Sequence, residues 1–79
     1  MPSASYYIVC ACKKVAKERL DNPLIAEVNY FGLPNDMTQD SVKYFAQTVA
    51  EICNATVTVI LEATSSSSKG FVVNIHLGV

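Results

Sequence analysis

The chain has 79 residues, of which 51% are hydrophobic and 16% charged, with a formal net charge of −1. That length makes one domain near the lower limit of independent folding, and the composition is too apolar and too weakly charged for a disordered chain. It also argues against an enzyme. A core this small yields only about 3–5 kcal/mol net, so its apolar volume is needed for packing and little is left to frame a deep substrate cavity of roughly 300 Å³.

The opening "MPSASYYIVCACKKVAKERL" places its apolar run before its basic residues, the reverse of a secretory signal. No run reaches the roughly 18–20 apolar residues of a membrane span, and no membrane partner is expected. Three cysteines, Cys10, Cys12 and Cys53, cannot all pair within one chain. The odd count without an export signal predicts reduced thiols and a cytoplasmic location.

In chain order, "SYYIVCAC" is rich in aromatic and β-branched residues and reads as a strand over Ser5–Cys12. Alternation would bury Tyr6, Ile8, Cys10 and Cys12 and turn Tyr7, Val9 and Ala11 to the other face. The next segment, "KKVAKERLDNP", allows two readings. Its good helix formers, stopped at Asn22-Pro23, suit a short helix at 13–20; alternatively Asp21-Asn22-Pro23 is the bend of a long hairpin. "LIAEVNYF" is a strand with Leu24, Ala26, Val28 and Tyr30 on one face and Ile25, Glu27, Asn29 and Phe31 on the other, ended by Gly32 and Pro34.

The clearest signal lies in "NDMTQDSVKYFAQTVAEICN". Val42, Phe45, Val49 and Ile52 recur at three- and four-residue steps, which predicts an amphipathic helix over about 38–53. Thr38 or Asp36 can cap its start, and Asn54 suits the left-handed position past its end. Two strands follow, "ATVTVILEA" and "FVVNIHLGV". If they pair as a hairpin, matching faces selects the register Leu61–Phe71, Val59–Val73 and Val57–Ile75, with Thr58 opposite Asn74 and Thr56 opposite His76. The serine run 65–68 then falls in the connection. Phosphate cradles precede a helix N-terminus, whereas these serines precede a strand, so the run reads as slack.

Few groupings suggest chemistry. Cys10, Cys12, Cys53 and His76 lack the paired ligand knuckles of a structural zinc site, and buried thiols are the simpler reading, with no metal and no cofactor. Cys53 ends a helix, where the dipole disfavours a thiolate, so a Cys–His nucleophile is not expected. The stretch "GLPNDMTQDSVKYFAQTVAEICNATVTVI" is similar in hydrophobic pattern to the turn, helix and strand of the sugar-system phosphocarrier proteins. Such a carrier needs a phosphoryl-accepting histidine after the glycine, where this chain has Leu33-Pro34-Asn35, so the resemblance implies no activity here.

Lys13, Lys14, Lys17 and Arg19 against Glu18 make a local charge of +3, and the remaining charges sum to −4. A basic cluster can mark nucleic-acid binding, with Tyr6 or Tyr7 stacking on bases; an acidic remainder opposes it. The resulting expectation is an α+β domain, a four-stranded mainly antiparallel sheet packed on the 38–53 helix. Its second face would expose Tyr7, Val9, Ile25, Phe31, Ile60 and Val72 among Thr56, Thr58, Asn74 and His76. Apolar exposure of that kind marks an interaction site. The functional expectation is a non-enzymatic protein-interaction module, an adaptor or an inhibitor that occludes a larger assembly, in the size class of phage-encoded inhibitors of host systems. Self-association as a homodimer is a further expected mode, the basic-segment nucleic-acid module is the alternative, and a Cys/His metal or thiol site is the remotest.

Overall fold

The computed structural model describes residues 4–34, 36–63 and 69–78. Along them run helix α1 (Ala4–Asp21), strand β1 (Glu27–Pro34), helix α2 (Gln39–Cys53) and strands β2 (Thr56–Ala63) and β3 (Lys69–His76). The coarse class is α+β: two helices on a three-stranded antiparallel sheet of order β1-β3-β2. Both outer strands run antiparallel to β3 and therefore parallel to each other, with α2 as the crossover between them.

α2 forms for the reasons its sequence advertises. Phe45, Val49 and Cys53 are buried along one stripe. Thr38 is the N-cap, its hydroxyl oxygen accepting the Ser41 amide at 3.1 Å, an interaction typically contributing about 1 kcal/mol. Asn54 takes the left-handed conformation (φ 51°) that ends the helix, and the Ala55 amide then donates to the Ala50 carbonyl at 2.9 Å.

α1 corrects the expected architecture. Ser5–Cys12 is not a strand, and the short helix foreseen at 13–20 is the second half of one 18-residue helix. The sheet accordingly has three strands rather than four. Ile8, Ala11 and Val15, at steps of three and four residues, are the buried stripe of α1, with Ala4 half-buried one turn earlier. No glycine, proline or asparagine interrupts the chain between Ala4 and Asp21. Local β propensity of Tyr, Ile and Val is a weak preference that packing overrides. Here the override is burial of that stripe against α2 and β1.

The register foreseen for the β2–β3 hairpin is the one observed: Val57 faces Ile75, Val59 faces Val73, Leu61 faces Phe71, Thr58 faces Asn74 and Thr56 faces His76. The ladder continues to Ala63–Lys69, and the serine run lies outside the described residues. β1 departs from expectation at both ends. It starts at Glu27, and Gly32 and Pro34 belong to it, Pro34 opposite Gly70. A proline is tolerated there because β1 is an edge strand. Between Tyr30 and Leu33 the register slips, so Phe31 and Gly32 together face Val72. This bulge returns Leu33 to the core. Gly32 is required at it, since a Cβ would lie 2.6 Å from the Tyr30 hydroxyl.

One face of the sheet carries Val28, Tyr30, Leu33, Val73 and Ile75, all buried beneath the helices with Ile8, Val15, Phe45 and Val49. Tyr30 stacks on Phe45 with ring centroids 6.1 Å apart. Helix α1 lies over β1 and α2 over β2.

Candidate interaction surface

Strand alternation that buries Val28, Tyr30, Val73 and Ile75 turns their neighbours to the opposite, outer face. The two ladders place those neighbours in rows across the sheet. Glu27, His76 and Thr56 form the first row, and Asn29, Asn74 and Thr58 the second. Phe31, Val72 and Ile60 form the third, Phe31 brought opposite Val72 at the bulge. The outer face is therefore graded along the strands, from charged through amide and hydroxyl to apolar. In the first row the His76 Nδ1 lies 3.0 Å from the Glu27 Oε2. In the third, Phe31 is 69% exposed and Ile60 51%, while Val72 between them is half-buried. Both helices occupy the inner side, and no described element covers this row.

Four of the seven residues expected on one open surface thus share it: Phe31, Ile60, Val72 and His76. The other three stand elsewhere. Tyr7 and Val9 belong to α1, Tyr7 packed against the core and Val9 exposed. Ile25 lies in the connection to β1, half-buried against the core. For Tyr7 and Val9 the reason is the helical fold of the first segment, which replaces a two-residue period by one of 3.6; Ile25 leaves the sheet because β1 starts only at Glu27. Asn29 and Glu27 join the surface from the strand alternation already legible in "LIAEVNYF".

The basic residues occupy α1. Lys13, Lys14 and Lys17 are exposed, and the Lys14 Nζ lies 4.0 Å from the Glu18 Oε1 one turn on. Arg19 is partly committed to structure, its Nη2 donating to the Cys53 carbonyl at 3.2 Å and tying the end of α1 to the end of α2. Tyr6 (62% exposed), Val9, Lys13, Lys17 and Leu20 follow one another at helical spacing on the outward side of α1.

Two of the three thiols, Cys12 on α1 and Cys53 on α2, lie side by side. Cys53 is buried at the end of α2 with its Sγ 3.9 Å from that of Cys12. Burial, and then the neighbouring Cys53 thiol, push the Cys12 thiol up to about 11. His76 stands on the outer face, where its neighbour is Glu27. Among the described residues no group of three or more His, Cys, Asp or Glu side chains is placed to hold a metal ion, and no helix is long and apolar enough to cross a membrane. A surface hollow of about 370 Å³ is lined by Arg19, Leu24, Ile25, Leu77 and their neighbours. Another, of about 310 Å³, lies between Gln39, Val42, Lys43 and Phe71. Both reach the volume that composition argued against; among the described residues that line them, Arg19 and Lys43 are the charged side chains. Comparison with protein-family models, curated proteins and solved structures yields no match.

Proposed function

We propose that this chain is a non-enzymatic protein-interaction module that binds through the outer face of its sheet, as an adaptor or as an inhibitor occluding a site on a larger assembly. The observation that carries this reading is the exposed row Phe31–Val72–Ile60 on the face opposite both helices. Removing a large apolar side chain from water contributes roughly 1.5–3 kcal/mol before the costs of association. An exposed aromatic such as Phe31, packed beside Val72 at the middle of the row, is the kind of side chain that anchors an interface. The amide and hydroxyl row beside it supplies donors and acceptors for orientation.

The test is capture of partners on immobilised protein, comparing the native chain with Phe31→Glu and Val72→Lys. Both variants should keep the native circular dichroism and lose the captured partner. A partner retained by both would remove the outer face from consideration.

A second reading has one observation in its favour: α1 sets exposed Tyr6 on the same side as Lys13 and Lys17, a stacking group beside phosphate-binding charges. Binding to a single-stranded oligonucleotide that weakens linearly on a log–log salt plot, and is lost in Lys13→Glu/Lys17→Glu, would favour it. Salt-insensitive or absent binding would reject it.

A further inference from the structure

The two edges of the sheet are not equivalent. β1 carries devices that discourage another strand: a bulge at Phe31-Gly32, a terminal proline at Pro34 and a charged first residue at Glu27. β2 has neither a bulge nor a proline; its one charged residue is Glu62 near its end, and its eight residues pair with β3 without a register shift. Alternate residues of β2 direct their amide and carbonyl groups away from β3, toward a position that another strand would fill.

The helix above this edge is unfinished on the same side. At 100° per residue, Ser41, Tyr44, Thr48 and Ile52 lie on one flank of α2, and Ala46, Ala50 and Cys53 on the other. The Cys53 flank meets α1, through the Cys12 thiol and Arg19. The Tyr44–Ile52 flank therefore faces away from α1 and overhangs the edge of β2 that no described strand pairs with. Tyr44 is 54% and Ile52 62% exposed on it, and exposed Glu51, seven residues after Tyr44, borders it on the solvent side. Below it, Val57 and Val59 are only half-buried although they belong to the inner face.

We propose that a second copy of this chain docks here, β2 against β2 in antiparallel pairing and α2 beside α2, about a two-fold axis perpendicular to the sheet. The occupant must supply two layers at once, an extended strand and, above it, a helix flank that matches Tyr44 and Ile52 with hydroxyl groups between them. This chain's own β2 and α2 are that pair, and a two-fold operation presents each to its like. The product is a six-stranded sheet with all four helices on one side. An edge of eight residues at about 3.4 Å each, two layers deep at about 10 Å per layer, presents roughly 500 Å² per copy. The total of about 1,000 Å² meets the lower limit for a specific interface and falls in the size class of weak, reversible association. The inference does not rest on the outer-face reading. The two surfaces share Ile60, but the edge and the α2 flank carry this one.

The test is sedimentation velocity on the full chain from about 5 to 500 μM, a range that brackets a micromolar equilibrium. A shift from 8.6 kDa to twice that mass with rising concentration is expected. Ile52→Glu should weaken self-association by about thirtyfold or more, as removal of a central interface side chain does, with unchanged circular dichroism. Tyr44→Lys tests the same flank should Ile52→Glu disturb folding, and Phe31→Glu should leave self-association unmoved. A single 8.6 kDa species across the range overturns the proposal. So does a dimer that Phe31→Glu dissociates while Ile52→Glu and Tyr44→Lys leave it intact.

Discussion

The two faces of the sheet are made from the same strands and almost the same residue types, yet they do different work. Val73 and Ile75 face the helices and have no exposed surface, while Val72 next to Val73 is half-buried and Ile60 half-exposed on the other side. The inner face is closed by Phe45 and Val49 from α2 and by Ile8 and Val15 from α1. On the outer face no described element completes the apolar row. Folding free energy is thus concentrated on one side, and side chains on the other are available for association at little cost to the fold.

The largest test of this division removes the centre of the inner side. Phe45→Ala should destabilise by about 3–5 kcal/mol, near the whole stability of a domain this size, so a chemical-denaturation curve close to the native one would show the packing to be wrongly assigned. A sharper comparison makes one chemical change on both faces. Ile75→Ala should cost about 2–5 kcal/mol as a core truncation, and Ile60→Ala about 1 kcal/mol or less as a half-exposed one. Equal costs in urea melts would mean that something covers the outer face.

The smallest effect is an alkaline one, confined to the inner side. Burial first, and then coupling to Cys10, Tyr7 and Tyr6, push the Tyr30 phenol from 10.0 up to about 12. Between those values the unfolded chain has released this proton and the native chain holds it. The Tyr30 contribution is undiminished below about pH 10 and is lost as pH rises toward about 12. Cys12, raised to about 11 by burial, acts with the same sign, so the difference between native protein and Tyr30→Phe isolates the phenol. The urea midpoint of Tyr30→Phe should fall less steeply over that range; parallel curves would place the Tyr30 hydroxyl in water.

The same contrast explains what was readable in advance. α2 announces itself because its apolar residues recur with the helical period between an N-cap at Thr38 and a left-handed stop at Asn54. α1 has the same kind of stripe in Ile8, Ala11 and Val15. Two intervening features hide it: Tyr6, Tyr7 and Val9 give the segment the composition of a strand, and the change to lysines at residue 13 suggests a boundary. The three- and four-residue steps run across that boundary with no breaker before Asp21, so the segment carries a helical pattern beside the strand one. Phe31, Ile60, Val72 and His76 group from alternation alone, whereas Tyr7 and Val9 belong to the helix and Ile25 precedes the first residue of β1.

Local sequence by itself determined α2 and its caps, the pairing of β2 with β3 and its register, and the outward direction of Phe31, Ile60 and Val72. Each follows from a period or a turn that neighbouring residues enforce on one another. Only the tertiary structure decided that the first segment is a helix, that β3 lies between β1 and β2, and that both helices share one face. Those choices turn on which apolar surfaces bury each other across the chain. Residues 4–21 satisfy two local patterns, and packing against α2 and β1 selects the one that buries Ile8, Ala11 and Val15 together.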